Sequence, residues 1–523
     1  MKIFSDVSSL AAATLTADQI VKVKSVGDYR IQDSGAGITL ANGKIAVPQA
    51  SGTAISVKQF GATGDGVTDD TAAIQAALDS TAKDIYFPEG SYAVSSKLVQ
   101  DRSLVRIRGA GKHSTEIKPL ASFDRVTYDC LMEVGTASTS DHVVQGIAFQ
   151  AVYNSNGNDL SGLAISAAYN VDLLDCKFKS GNYVTRINGG LLIRTGKHTR
   201  IQNCHFHNGY CYGVVINAHG NGLNFINCAF DECSVNMIST GNILEMTVTG
   251  CEFGQAIANA TYPTPVEKRQ IDLLVGSHAR IVLDGNSFSG SATTEYAFLL
   301  SNVEQTIING NMFSGNTRYA IVHNGSKDCT ITGNAFANNG TDTGTTDPSV
   351  GLRNYETTTF CSDIYKYSAF AQPFSMTGNI SDITDRPMSW IEGTGSSLST
   401  SQSTIIGNNC SGGASYIHKT NVTDTIPLIN GKRYNSVTQP VEITIPAKTY
   451  NAGQIQFGNV SVTGVATGDV VCLAPKTSSE LTPGLCYFGT VNATNQVRWS
   501  MVNATTGTIV EPDRTFVVSV IKA

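Results

Sequence analysis

Apolar positions alternate with polar ones in short runs, and between residues 143 and 410 the runs recur as a motif: an apolar or β-branched stretch, a Cys or Asn, one free position, then an aromatic. The copies VDLLDCKF, TRIQNCHF, LNFINCAF, MTVTGCEF, IVLDGNSF, TIINGNMF and CTITGNAF end at Phe178, Phe206, Phe230, Phe253, Phe288, Phe313 and Phe336. Weaker copies end at Phe149, Asn379 and Asn409. Starting from Phe149, the intervals are 29, 28, 24, 23, 35, 25 and 23 residues, too long for hairpins and suited to one solenoid coil each. Within a coil the strand patterns are separated by Gly or Asn, with no amphipathic helix between them.

The expected fold is all-β: a right-handed, single-stranded parallel β-helix. Side chains alternate across a strand, so the aromatics should stack inward as one column. A second column lies two residues earlier and runs Cys176, Cys204, Cys228, Cys251, Asn286, Asn311 and Asn334. There Asn is expected to form a hydrogen-bonded ladder and Cys to fill the same corner as a small apolar group.

Residues 1–53 are expected to form a small element of one short helix or turn and two or three strands, and residues 54–415 the β-helix. Residues 416–523, with turns every eight to twelve residues, are expected to form an antiparallel β-sandwich. In the sandwich, Trp499 is read as core. At the head of the coils, ISVKQFGATGDGVTDDTAAIQAALDS precedes DIYFPEGSYAV. Its spacing predicts a strand over Val57–Phe60, a glycine loop, and a helix capped by Thr68 or Asp69 with Ile74, Ala77 and Leu78 on one face. The helix should close the open coil end, and Asp65, Asp69 and Asp70 are read as loop and cap residues.

The 523 residues are 41% apolar and 15% charged with 50 Gly, which suits a turn-rich β protein with a long core. A net charge of −6 without a basic stripe argues against nucleic-acid binding. No apolar run approaches a membrane span, and the start lacks an export-signal pattern. Twelve cysteines without a zinc spacing are expected to be reduced.

The VKxFGAxGDGxTDDTxAIQxA and YFPxGxY pattern, with the coils behind it, resembles the pectate-lyase-like β-helices of bacteriophage tailspikes and capsule depolymerases. The closing stretch from Gly468 resembles their small terminal β-domain. The resemblance implies a homotrimer, attachment to the phage tail or baseplate through the N-terminal element, a bacterial surface polysaccharide as partner, and a place in the virion tail. No cofactor is expected, and no residue is assigned as a metal ligand.

Chemistry is then expected on the strands that open each coil, read as GLLIR, GVVIN, NMIST, DLLVG, AFLLS and AIVHN. The candidate catalytic carboxylates are Asp272 with Glu295, and Asp231 with Glu232 as the rival pair. Two carboxylates on adjacent coils suit glycoside hydrolysis. Arg186, Arg194, His219, Glu267, Arg269 and Arg318 are candidate contacts to a charged polymer, and Tyr210, Tyr212, Tyr296 and Tyr319 are candidate stacking faces. A lyase using Tyr, His and Arg, or a spike that only binds, are the alternatives. The outward His205, His207, Asp231 and Glu252 form a further constellation, read as a surface cluster.

Overall fold

The computed structural model describes residues 1–35, 37–49, 54–136, 139–151, 160–166, 168–180, 189–207, 212–233, 235–254, 269–273, 277–290, 294, 296–301, 303–317, 319–324, 328–339, 364–368, 374–377, 379–381, 389–393, 404–406, 409–410, 417–420, 428–429, 432–433, 441–445, 447–462, 465–467, 469–475, 485–511 and 514–521. Compactness divides it into one unit of residues 1–304 and 315–317 and another of residues 305–314 and 318–523.

The N-terminal stretch of the first unit builds its own layer. A helix, Val7–Ala11, packs on a five-stranded sheet, more strands than the sequence suggests. Leu10, Val21, Val23, Tyr29, Ile31 and Ala46 form its core.

From Ala54 onward the chain winds into coils of three parallel strands. One full coil runs Gly189–Ile193, Gly196–Gln202 and His205–His207; the next runs Tyr212–Ile216, Leu223–Ile226 and Ala229–Asp231. Along the described coils each strand pairs with its counterparts on neighbouring coils, so the strands form an opening, a second and a third sheet, the second ending in an antiparallel pair of Leu428–Ile429 with Lys432–Arg433.

On the third sheet the aromatic column is in register, with Phe149, Phe178, Phe206, Phe230, Phe253 and Phe288 pairing in turn. Their rings stack at centroid separations of 5.4, 4.9, 4.7, 4.7 and 4.6 Å. The rise between parallel strands is about 4.8 Å, so the backbone spacing itself sets the ring spacing.

The corner column also forms. The Asn286 Oδ1 accepts the Cys251 N–H at 2.8 Å, while its Nδ2 donates to the Val248 carbonyl at 2.8 Å. In the second unit Asn311 N–H donates to Asn334 Oδ1 and Asn334 N–H to Asn379 Oδ1, each at 2.9 Å. Each carboxamide thus satisfies a corner amide that the strand ladder leaves over. Cys performs part of the same task, since the Cys228 N–H points at Cys251 Sγ at 3.3 Å and Cys228 Sγ lies 3.4 Å from the Ile201 carbonyl. In the second unit Phe313 and Phe336 pair and stack at 5.3 Å.

The coil end is closed as the sequence suggests, with two corrections: the helix N-cap is Asp70, without a side-chain cap bond, rather than Thr68 or Asp69, and the expected strand is a turn. Val57–Phe60 is a 3₁₀ turn, because Ser56 and Gln59 form a capping box and Gly61 adopts φ 102°. The helix Thr71–Asp79 buries Ile74, Ala77 and Leu78 and takes the place of an opening strand in the first coil. Its Gln75 carboxamide donates to the Val99 carbonyl and accepts the Val99 N–H, both at 2.9 Å, as a neighbouring strand would. Replacing Gln75 by Leu is therefore expected to lower unfolding stability by about 1–3 kcal/mol, the cost of stranding buried backbone groups. Urea unfolding of the two proteins measures it. The three acidic residues of the loop act as ties. Asp65 accepts from Val67 and Thr68, Asp69 from Thr71, and Asp70, only 1% exposed, from Thr63 and Gly64.

The second unit carries further parallel coils, then antiparallel sheets over residues 441–521. Ile445, Tyr450, Met501 and Phe516 make a core against which Trp499 packs, part-buried. Gly458 and Gly489 flank Trp499 on both neighbouring strands, and a Cβ on Gly458 would lie 2.5 Å from the indole. Among the described residues no helix is long and apolar enough to cross a membrane.

Candidate functional site

The outward side of the opening sheet carries an unusual sequence of residues. Glu133, Ala164, Leu192, Val215, Ile238, Asp272 and Leu299 pair in turn from coil to coil. Ala164, Leu192 and Val215 are buried there with Cys130, Tyr212 and Val235, a small outer core separate from the aromatic one. Burial pushes the Cys130 thiol up to about 12, leaving it inert at neutral pH. A carboxylate stands at each end of this apolar stripe.

At the far end, Asp272 is 6% exposed and accepts from Arg269 Nη1 at 2.5 Å. The Arg269 guanidinium lies 6.0 Å from the centroid of the Tyr296 ring, which belongs to the residue paired with Arg269 on the next coil. The strand is Arg269–Leu273, so Arg269 heads it and Asp272 lies three positions on. Asp272 is level with Val215 and Ile238 rather than with Gly213, a shift of two from the register read in the sequence. Glu295 lies outside the described residues. Tyr296, the residue after it, is level with Arg269.

At the near end, Glu133 accepts from Lys97, from Arg194 and, at 2.5 Å, from Ser166 Oγ. Burial opposes its charge, yet these contacts hold the carboxyl below its usual range. Five strand spacings separate the paired positions of Glu133 and Asp272, about 24 Å at the usual ~4.8 Å. Acid and base partners in glycoside hydrolysis stand about 5–9.5 Å apart, so these two cannot be such a pair.

The other expected residues scatter. Arg194 is committed to Glu133 and, through both Asp129 oxygens at 2.6 and 2.7 Å, to Asp129. His219 is 3% exposed and fills a corner, bonded to the Gly220 carbonyl at 2.9 Å and Thr199 Oγ1 at 3.0 Å. Burial holds its ring below the usual histidine pKa. Tyr212 is buried on the outward side of the opening sheet, three coils before Tyr296, and Tyr319 is buried in the second unit. Asp231 ends a third-sheet strand beside His207, and Glu232 follows in a left-handed turn at φ 56°. They therefore stand on a different sheet from Asp272. Arg186, Tyr210, Glu267 and Arg318 lie outside the described residues.

Two features were missed. The Lys97, Asp129, Glu133 and Arg194 network sits on coils whose repeat is too weak to read, although a lone Glu in the apolar CLMEV was a signal. On the second sheet, a cleft of about 530 Å³ is lined by Asp141, Asn170, Asp172, His198, Arg200 and Asn224. Arg200 binds Asp172 through two contacts of 2.9 and 2.7 Å there. The His205, His207 and Asp231 side chains meet on the third sheet, with donor atoms within 4.8 Å of one another. Burial, with the His207 and Lys177 charges beside it, pushes His205 down to about 4.

Residues 54–256 match the family model described as rhamnogalacturonase A/epimerase, pectate lyase-like. The coils over these residues are thus similar to that pectate lyase-like family. A second family model, for a periplasmic copper-binding protein (NosD), matches residues 234–355. Alginate lyase 7 of Azotobacter vinelandii is 32% identical over 117 residues, 20% of this chain and 14% of that protein. The mannuronan C5-epimerase AlgE2 of the same organism is 44% identical over 80 residues, 13% of this chain and 8% of that protein. The pre-neck appendage protein of Bacillus phage phi29 is 32% identical over 131 residues, 23% of this chain and 15% of that protein. The matched parts are thus a small share of those relatives. Among solved structures, the tailspike gp49 of Acinetobacter baumannii bacteriophage Fri1, a capsular polysaccharide depolymerase, aligns over 100% of this chain and 98% of its own at 12% identity and TM-score 0.48. The tailspike gp49 of Pseudomonas phage LKA1 aligns over 89% and 99% at 12% identity and TM-score 0.47.

Proposed function

We propose that this protein is a phage tailspike enzyme that binds and depolymerises an acidic bacterial surface polysaccharide along the outward side of its opening sheet. The observation that carries the reading is the Arg269, Asp272 and Tyr296 group. It puts a cation, a carboxylate and a phenol together on pectate-lyase-like coils, at the end of the long insertion 254–270. Long loops on solenoids commonly build binding sites. The phage appendage match supports a place in the virion tail, with homotrimeric assembly and N-terminal attachment part of the same proposal.

Hydrolysis is the first chemistry proposed. Asp272 and Glu295 divide the roles of acid and base or nucleophile, one protonating the leaving oxygen while the other activates water or attacks carbon. A second reading, β-elimination, is favoured by the Arg269 and Tyr296 contact and by the alginate lyase match. In it the guanidinium turns from Asp272 to neutralise the substrate carboxylate, and Tyr296 takes the proton α to it. The β carbon–oxygen bond then breaks, the leaving oxygen gains a proton and the new chain end is unsaturated.

Incubating the purified chain with capsule, O-antigen and alginate polymers tests both. Reducing ends without new ultraviolet absorbance indicate hydrolysis, and reducing ends with it indicate elimination. Binding with neither would replace the enzyme by a receptor-binding spike.

A further inference from the structure

We propose that His205, His207 and Asp231 form a binding site for one divalent transition-metal ion, of the Zn²⁺, Ni²⁺ or Cu²⁺ class, joining two successive coils. Phe206 points into the aromatic column, so alternation sends both neighbouring imidazoles outward from the same strand, with ring centroids 5.1 Å apart. Asp231 is the coil-to-coil partner of His207, and its Oδ2 lies 3.4 Å from His207 Nδ1. That nitrogen is buried and makes no hydrogen bond although a carboxylate faces it. Tetrahedral ligands about 2.0–2.2 Å from zinc stand roughly 3.3–3.6 Å apart, so the three donors, already within 4.8 Å, need only small side-chain rotations to converge.

The surroundings leave room for this. His205 pairs with Ala229, whose small side chain clears the space between the strands. Glycine at position 254 serves Asp231, because a Cβ there would come within 2.9 Å of its Oδ1. Two imidazoles and one carboxylate suit borderline-soft cations rather than Ca²⁺ or Mg²⁺, which take oxygen ligands. Lys177 pairs with His205 on the preceding coil and opposes a cation, as does the more distant Lys112, whose charge Asp175 offsets, so affinity is set by the donors against these positive charges.

The test uses the untagged full-length chain, stripped with EDTA and titrated with ZnCl₂ by calorimetry, with thermal melts alongside. One equivalent of Zn²⁺ is expected, with a higher melting temperature and no comparable response to CaCl₂ or MgCl₂. His205→Ala and His207→Ala should each weaken binding by more than about 10-fold, at least what loss of a supporting contact costs. Lys177→Ala should tighten it several-fold, an effect a merely structural cluster would not show. No saturable zinc binding, or the same isotherm in the His205→Ala/His207→Ala double variant, would overturn the site.

Discussion

Replacing Asp272 by Asn is expected to reduce polymer cleavage by about two to four orders of magnitude, the usual worth of a positioned acid or base, and to lower the melting temperature as well. The second effect follows from the structure. Asp272 and Arg269 are ion-paired with side chains only 8% and 10% exposed. Removing one member of a buried pair costs about 3–5 kcal/mol, because the other charge loses a close opposite charge in a poorly solvated place. Glu295→Gln should match the loss in turnover. Steady-state rates measured well below each variant's melting temperature separate the chemistry from the stability loss. Near-normal cleavage by both variants would refute the carboxylate assignment. The elimination reading would then predict that Tyr296→Phe abolishes the ultraviolet product.

Phe230→Asp is expected to leave no native protein. The Phe230 side chain is 1% exposed and stacks 4.7 Å from Phe206 on one side and 4.7 Å from Phe253 on the other. Removing a buried phenylalanine costs about 3–5 kcal/mol, and burying a carboxylate without a partner adds several more. Together these rival the roughly 5–15 kcal/mol that holds a typical domain folded. Phe230→Leu, which keeps an apolar group in the column, should remain folded with a lower melting temperature. Circular dichroism and soluble yield report both. A soluble Phe230→Asp protein with unchanged melting would contradict the inward stack.

The stack and the Asn ladder were legible because a solenoid repeats one environment in every coil. A Cys or Asn two residues before each aromatic therefore reads as two columns, and the paired strands realise both. The capping helix was legible for the same kind of reason, from one apolar face of Ile74, Ala77 and Leu78. The candidate site was less so. After the insertion, DLLVG looks like GVVIN, and that alignment keeps every inward residue inward. A slip of two positions leaves the in-and-out alternation unchanged, so no apolar pattern could reveal that Asp272 is level with Val215. The outward side of the opening sheet also misleads, because Leu192 and Val215 are buried there and read as inner core. Val57–Phe60 failed differently. Its strand-like composition yields to a local capping box that only the Ser56 and Gln59 pairing reveals.

Whether the protein cuts its polymer is decided by the length of an acidic capsular or exopolysaccharide chain after incubation with the wild-type protein, followed by size-exclusion chromatography. Progressive conversion of the polymer to oligosaccharides by the wild type, and its persistence at full length with Asp272→Asn, is the predicted result. A polymer that the wild-type protein binds but leaves at full length would contradict it.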